Sequence, residues 1–342
     1  MKCSFHLCLV LIVLLGILVS CRNASEKKSQ GGQAREVPVN SELAQLTERI
    51  GSDSLNPEAF YLRAKLYIDL KEINKALADI NKAIQLDNES SDYFVALADI
   101  YLAMGRIPNC LDALKKAEEL RPSNNDALLK LAEVYLILKD YEKTFEYSGK
   151  ALDLDLINPV AHFIRGYAYM ELGDTTLAMK NFEAAADQDQ AYYEAYIELG
   201  ILYSAQKNPL AAGYLQTATR IEPNRTEGYY LLGMFYQEQE NIPKAVETYE
   251  KLLTISPDYK EVYYNLGYVN LVYNTDFQKA VSYFSKAISL DPVYIDAYFN
   301  RGYSYELMGD YVNARKDYHK ALDLAPNYER SIIGLNRLDS LE

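Results

Sequence analysis

A 34-residue period runs through most of the chain and constrains its fold more than any other feature. Self-similarity at such a spacing marks stacked supersecondary units, each too small to bury its own apolar face. Stepping by 34 from Pro57 places Ala64, Ala98, Ala132, Gly166 and Gly200 in one column; single-residue slips then bring in Gly233, Gly267 and Gly302. A second small column runs Ala76, Cys110, Thr144, Ala178, Ala211, Ala245, Ala280 and Ala314. A third runs Ala83, Ala117, Ala151, Ala185, Ala218, Leu252, Ala287 and Ala321. Three places after the first column stand Tyr67, Tyr101, Tyr135, Tyr169, Tyr203, Tyr236 and Tyr305, with Asn270 as the exception.

These columns define eight units: 57–90, 91–124, 125–158, 159–192, 193–225, 226–259, 260–294 and 295–328. One deletion near Pro209 and one insertion near Asn274 fall between helices, where length changes are tolerated. Each unit reads as two helices, because apolar residues recur at three- and four-residue spacing, as in Tyr229, Leu232 and Tyr236. Gly105, Gly173 and Gly309 stop the first helix. Pro108 and Pro243 open the second, where the missing N–H is harmless, and Pro122, Pro223, Pro257, Pro292 and Pro326 close it. Ser41–Ile50 and residues 329–342 read as caps at the two ends, so that 41–56 and 329–342 flank the array at 57–328.

The pattern of aromatic, Leu, small, Tyr, small, aromatic, small, Pro resembles the tetratricopeptide repeat (TPR) family. The resemblance implies an all-α, right-handed superhelical solenoid with a concave groove lined by the first helix of each repeat. Departures are mild: His162 replaces the first aromatic in the fourth unit, and Ser148 replaces a large residue in the third.

Two columns sixteen residues apart change together. Arg63, Arg165 and Arg301 stand where other units carry Leu, and the same units carry Asp79, Asn181 and Asp317. A partly buried Arg needs an acceptor, so these read as structural ties within a repeat.

By the same resemblance, positions 2, 5, 9, 12, 13 and 34 of each unit face the groove. Position 5 then supplies Tyr61, Phe163, Tyr230, Tyr264 and Phe299; position 9 supplies Tyr167, Tyr268 and Tyr303; position 34 supplies Tyr192, Tyr259, Tyr294 and Tyr328. Tyrosine offers a large rigid surface and a hydroxyl at low entropic cost, which suits binding. Position 2 is acidic in Glu58, Asp92, Asp126, Glu194, Glu227, Glu261 and Asp296, an edge that favours a basic or aromatic protein or peptide partner. The TPR groups that grip a C-terminal carboxylate use basic groove residues, and Lys65 is the only one at positions 5 and 9. Glycan or cell-wall binding through the tyrosines is the alternative reading.

The first 21 residues point to a compartment. Lys2 precedes an apolar run from Phe5 to Val19, the layout of an export signal and too short for a comfortable span. Leu18-Val19-Ser20-Cys21 resembles the bacterial lipobox, which implies cleavage of residues 1–20 and acylation of Cys21, with palmitate among its chains. Two or more chains anchor a protein stably where one does not. Residues 21–40 read as the lipidated Cys and a flexible tether reaching roughly 24 Å. The expectation is a lipid-anchored scaffold of the bacterial cell envelope, on the outer membrane if the cell is Gram-negative, facing periplasm or surface.

Composition excludes other classes. A net charge of −13 argues against nucleic-acid binding, which needs a basic face. No HExxH, P-loop, GxSxG or zinc spacing occurs, and His162 and His319 have no nucleophile beside them. The chain is therefore read as non-enzymatic, without catalytic or metal residues or cofactors; nothing in the sequence sets an oligomeric state.

Overall fold

The computed structural model describes residues 39–341. The segments read above as export signal, lipidated Cys21 and tether, through residue 38, lie outside them. The described residues form 18 helices and no strand. Val39–Ser52 comes first, followed by eight helix pairs. These are Pro57–Asp69 with Ile73–Leu86, Ser91–Ala103 with Ile107–Leu120, Asn125–Ile137 with Tyr141–Leu154, and Pro159–Glu171 with Thr175–Gln188. Then come Tyr193–Ala205 with Leu210–Ile221, Thr226–Glu238 with Ile242–Ile255, Lys260–Val272 with Phe277–Leu290, and Ile295–Leu307 with Tyr311–Leu324. Glu329–Asp339 is last. The helices of a pair pack on each other, as the periodicity implies. Two compact units divide within the first helix of the fifth repeat, one running through Ala195 and the other from Tyr196.

Local chemistry sets the helix ends. Asn56, Asn124 and Asn158 accept hydrogen bonds from the backbone N–H of Ala59, Ala127 and Ala161, capping three first helices. Asp140, Asp174, Asp276 and Asp310 cap four second helices in the same way. The turn within each repeat needs one residue in the left-handed region. Gly105, Gly173 and Gly309 supply it at no steric cost, but Lys71, Lys139, Lys207, Glu240 and Thr275 adopt it too, at φ of 52–60°. The stop signal read from glycine therefore covers three of eight turns.

Packing within a repeat depends on another column pair. A Cβ at Gly166, Gly233 or Gly267 would stand 2.4–2.7 Å from the ring of Phe182, Tyr249 or Phe284 on the second helix. Gly302 meets Tyr318 at 3.0 Å, and Gly200 meets Leu215 at 2.4 Å. All five partners are fully buried. Where the column holds Ala64, Ala98 or Ala132, the facing position holds Ile80, Leu114 or Ser148, with no ring. In four of the five glycine repeats, removing a methyl from one helix thus admits a ring from the other, and at Gly200 it admits Leu215, which keeps the interior at crystal-like density.

Two of the three expected ties form. Arg63 donates to both oxygens of Asp79 at 2.6 and 2.8 Å, and Arg301 to both of Asp317 at 2.7 Å. Both aspartates are buried, so the bidentate bond offsets their desolvation. The third does not form as expected. Asn181 donates instead to the Leu177 carbonyl at 2.8 Å, with its oxygen 3.4 Å from His162 Nδ1. Arg165 lies over the Phe145 ring at 5.3 Å. A neutral amide has both a donor and an acceptor to satisfy, and the adjacent helical carbonyl and imidazole satisfy them without the guanidinium.

Candidate functional site

The predicted groove residues divide by depth. Phe163, Tyr167 and Tyr192 are 0%, 7% and 4% exposed and belong to the core of the first unit. Phe163 meets Tyr167 and Tyr192 edge-on at 5.0 Å each, and Phe182 at 5.4 Å. Phe299 is likewise buried, at 6%. These four correct the expectation that they line an open surface. Phe182, admitted beside Gly166, meets Phe163 and Tyr167, Tyr192 closes on the Phe163 edge, and Tyr318, beside Gly302, meets Phe299, which Arg330 also covers. Tyr61, Tyr230, Tyr259, Tyr264, Tyr268, Tyr294, Tyr303 and Tyr328 are half-buried, each with a face or edge toward solvent.

Positions 5 and 34 of one repeat act as a pair. Phe163–Tyr192, Tyr230–Tyr259, Tyr264–Tyr294 and Phe299–Tyr328 have ring centroids 5.0, 5.4, 5.0 and 5.9 Å apart. Every repeat with Tyr at position 34 has an aromatic at position 5. The repeats without it carry Tyr61 with Ser90, Val95 with Asn124, Leu129 with Asn158, and Ile197 with Arg225. That covariation is visible in the sequence, but only when the two columns are read together.

In the second unit three of these pairs occupy successive repeats. Tyr264, Tyr268, Tyr294, Tyr303 and Tyr328 pack against a core that includes Phe284, Ala297 and Tyr298. Asn300 donates to the Tyr264 hydroxyl at 2.9 Å, and Tyr328 donates to Asp296. Burial, reinforced by neighbouring charge, pushes the phenols of Tyr259 and Tyr264 up to about 12 and raises those of Tyr294 and Tyr328 as well. At neutral pH these hydroxyls stay protonated and able to donate.

Cations line the same surface. Lys260 bonds Asp291 at 2.6 Å and lies 5.7 Å from the Tyr294 centroid. Arg330 lies 4.3 Å over Phe299, and Arg337 lies 5.5 Å over Tyr303 while bonding Glu306 at 2.8 and 2.9 Å. The acidic column at position 2 is therefore less bare than its sequence suggests. Asp92 meets Arg121 at 2.5 Å, Glu227 meets Arg225 at 3.0 Å, and Asp296 meets Arg330 at 3.6 Å. Glu58 accepts from the Tyr93 hydroxyl at 3.2 Å. Sequence reasoning missed these partners because each was read in its own column: Arg121 and Arg225 come from loops, Arg330 from the last helix, and Tyr93 from the first helix of the following repeat.

Among the described residues no helix is long and apolar enough to cross a membrane, and no group of three or more His, Cys, Asp or Glu is placed to hold a metal ion.

Comparison with known proteins follows the same lines. The family model described as the tetratricopeptide repeat protein 21 N-terminal ARM repeat matches residues 146–337, more than half the chain. Two tetratricopeptide repeat models match residues 57–90 and 95–147. No curated protein matches the chain. Among solved structures, the C-terminal part of a TPR repeat-containing protein from Cytophaga hutchinsonii is 21% identical, covering 70% of this chain and 99% of its own, with a TM-score of 0.61. The PilF protein of Pseudomonas aeruginosa is 17% identical over 60% of this chain and 94% of its own, with a TM-score of 0.52. These structures share the fold, and TPR folds are typically non-enzymatic scaffolds for protein interaction. With family models spanning most of the repeat array, the chain belongs to the tetratricopeptide repeat family.

Proposed function

We propose that this protein is a lipid-anchored interaction scaffold of the bacterial cell envelope, and that it holds a protein or peptide partner on the groove face of its second unit. The observation that carries the reading is the run of half-buried tyrosines in the last three repeats: Tyr230, Tyr259, Tyr264, Tyr268, Tyr294 and Tyr303. Tyr230 packs on Tyr259, Tyr264 stacks on Tyr294 and Tyr303 stacks on Phe299, so a partner loses little side-chain entropy from these rings on docking. The flanking cations and carboxylates give the rim polar contacts for a polypeptide. A glycan reading fits less well. Tyr264 and Tyr294 stack at an interplanar angle of 23°, which spends one face of each ring on the other.

Two experiments test the proposal. The triple variant Tyr264→Ser, Tyr268→Ser and Tyr303→Ser should keep its helicity and lose the partners that native-envelope crosslinking identifies with the wild type. Unchanged capture would move the site off this face. Cys21→Ala should shift the protein from the membrane to the soluble fraction, and retention on the membrane would remove the anchor from the proposal.

A further inference from the structure

Columns 5 and 9 of the first unit lie among acidic groups. Burial, followed by Asp92, Glu58, Asp126 and Asp99, pushes the Tyr61 phenol up to about 12. Next to this group Lys130 and Asp99 form a 2.5 Å ion pair whose side chains keep 23% and 32% of their surface exposed. Glu133 stands one helical turn beyond Lys130 on Asn125–Ile137 and is only 1% exposed. Its Oε1 is buried without a hydrogen-bond partner. The same position holds Lys65 and Asp99 in the first two repeats and Tyr167, Ile201, Met234, Tyr268 and Tyr303 in the last five, so a buried carboxyl here is not required by the framework. An unpaired buried polar oxygen is costly and points to a missing partner.

The charges show what partner is missing. The cluster holds two carboxyl groups and one ammonium. Lys130 on its own helix and Asp99 on Ser91–Ala103 are the charges acting on Glu133. Cys110 on Ile107–Leu120 is a titratable neighbour, a thiol that burial pushes up to about 12. Burial outweighs the pull of Lys130 and, with Asp99, lifts the Glu133 carboxyl to about 7. A proton therefore supplies the second positive charge in the free protein, and an external cation can supply it instead. Asp99 and Lys130 are the partly exposed members of the cluster, and the flexible Lys130 ammonium can swing away from Asp99.

We propose that Asp99, Lys130 and Glu133 form a binding site for a basic side chain, the ammonium or guanidinium of a lysine or arginine on the partner, and that filling it releases the proton of Glu133 to solvent. The bookkeeping is one proton out for one cation in, with no covalent change. The site rests on the proposal that the protein holds a partner polypeptide, and it adds to that reading a contact within the first unit, for a basic stretch crossing the second and third repeats.

The test uses the full chain in detergent and a blocked trilysine peptide as probe, titrated by calorimetry in two buffers of different ionisation enthalpy. The expected release approaches one proton in mildly acidic buffer and falls toward none as the pH is raised to 9. Glu133→Gln, which is isosteric, should abolish the release. Lys130→Met should tighten trilysine binding by about tenfold, because it removes the competing internal ammonium. A merely unfolded variant would weaken binding, so that sign protects the inference from misfolding. Trilysine binding without proton release, the same release in Glu133→Gln, or weaker binding in Lys130→Met would overturn it. The tyrosine triple variant separates this site from the parent reading. Lost partner capture there, with no proton release by the wild type, leaves the groove proposal standing and removes this site. Unchanged capture there, with release intact, does the reverse.

Discussion

Gly233→Ala measures how tightly each repeat is keyed to its own second helix. The new Cβ would lie 2.4 Å from Tyr249 Cε1, 2.6 Å from Cδ1 and 3.1 Å from Cζ. Carbon atoms prefer about 3.5–4.0 Å, so the ring must retreat by roughly 1 Å. It has little room to do so. Tyr249 is fully buried, its hydroxyl donates to Gln237 at 3.0 Å, and it accepts from Asn265 at 3.2 Å. Overpacking of this kind costs about 1–3 kcal/mol, and weakening two hydrogen bonds adds about 1 kcal/mol. Against this, alanine gains about 1 kcal/mol over glycine inside a helix. The net expectation is a loss of about 1–3 kcal/mol. Gly213→Ala is the control, because a Cβ there meets nothing within 4 Å in the helix Leu210–Ile221, so the helical gain alone should appear. Urea titration followed by circular dichroism, with hydrogen exchange on Ile242–Ile255 to localise the effect, should place the two variants on opposite sides of the wild type. Adding Tyr249→Leu to Gly233→Ala recreates the Ala98–Leu114 pairing and should recover part of the loss. A Gly233→Ala protein as stable as Gly213→Ala would refute the argument that the ring decides the glycine.

Arg301→Ala should cost about 3–5 kcal/mol, since it strands Asp317 as a buried unpaired charge. Arg165→Ala should cost far less, because Asn181 carries no charge to strand; equal losses in thermal melts would contradict the distinction between the two repeats. Low pH should loosen the last helix. Burial pushes the Glu306 carboxyl up, but bonds from Arg337 and Tyr318 outweigh it and hold the group below its ordinary value. A carboxyl depressed on folding contributes stability above its unfolded value, near pH ~4.3, and loses that contribution as the pH falls below it. Hydrogen exchange on Glu329–Asp339 should therefore speed up on acidification through that range in the wild type, and Arg337→Gln should flatten the response.

The limits of sequence reading here have a physical pattern. Helix positions and the Arg63–Asp79 and Arg301–Asp317 ties were legible because each follows from periodicity or from a charge that needs its opposite, whereas glycine marked only three of the eight turns. Depth was not legible. Helical phase says which way Phe163 and Tyr264 point, and it assigns them the same direction. Both meet a second-helix ring, Phe182 and Phe284, but Phe163 has Tyr167 and Tyr192 against its edges, whereas Tyr264 stacks only on Tyr294 besides and stays half-exposed. Whether a groove position is wall or surface thus depends on residues in other columns, and the useful unit of reading is a pair of columns. Three such pairs recur: small with ring, Arg with Asp, and an aromatic at position 5 with a tyrosine at position 34. The Arg165–Asn181 exception shows the rule's content, for where the acceptor carries no charge the guanidinium lies over a ring instead. Glu133 Oε1 has no hydrogen-bond partner in any column of its own repeat. In a chain where pairing explains so much of the interior, an unpaired buried carboxyl oxygen is the group whose partner should be sought outside the chain.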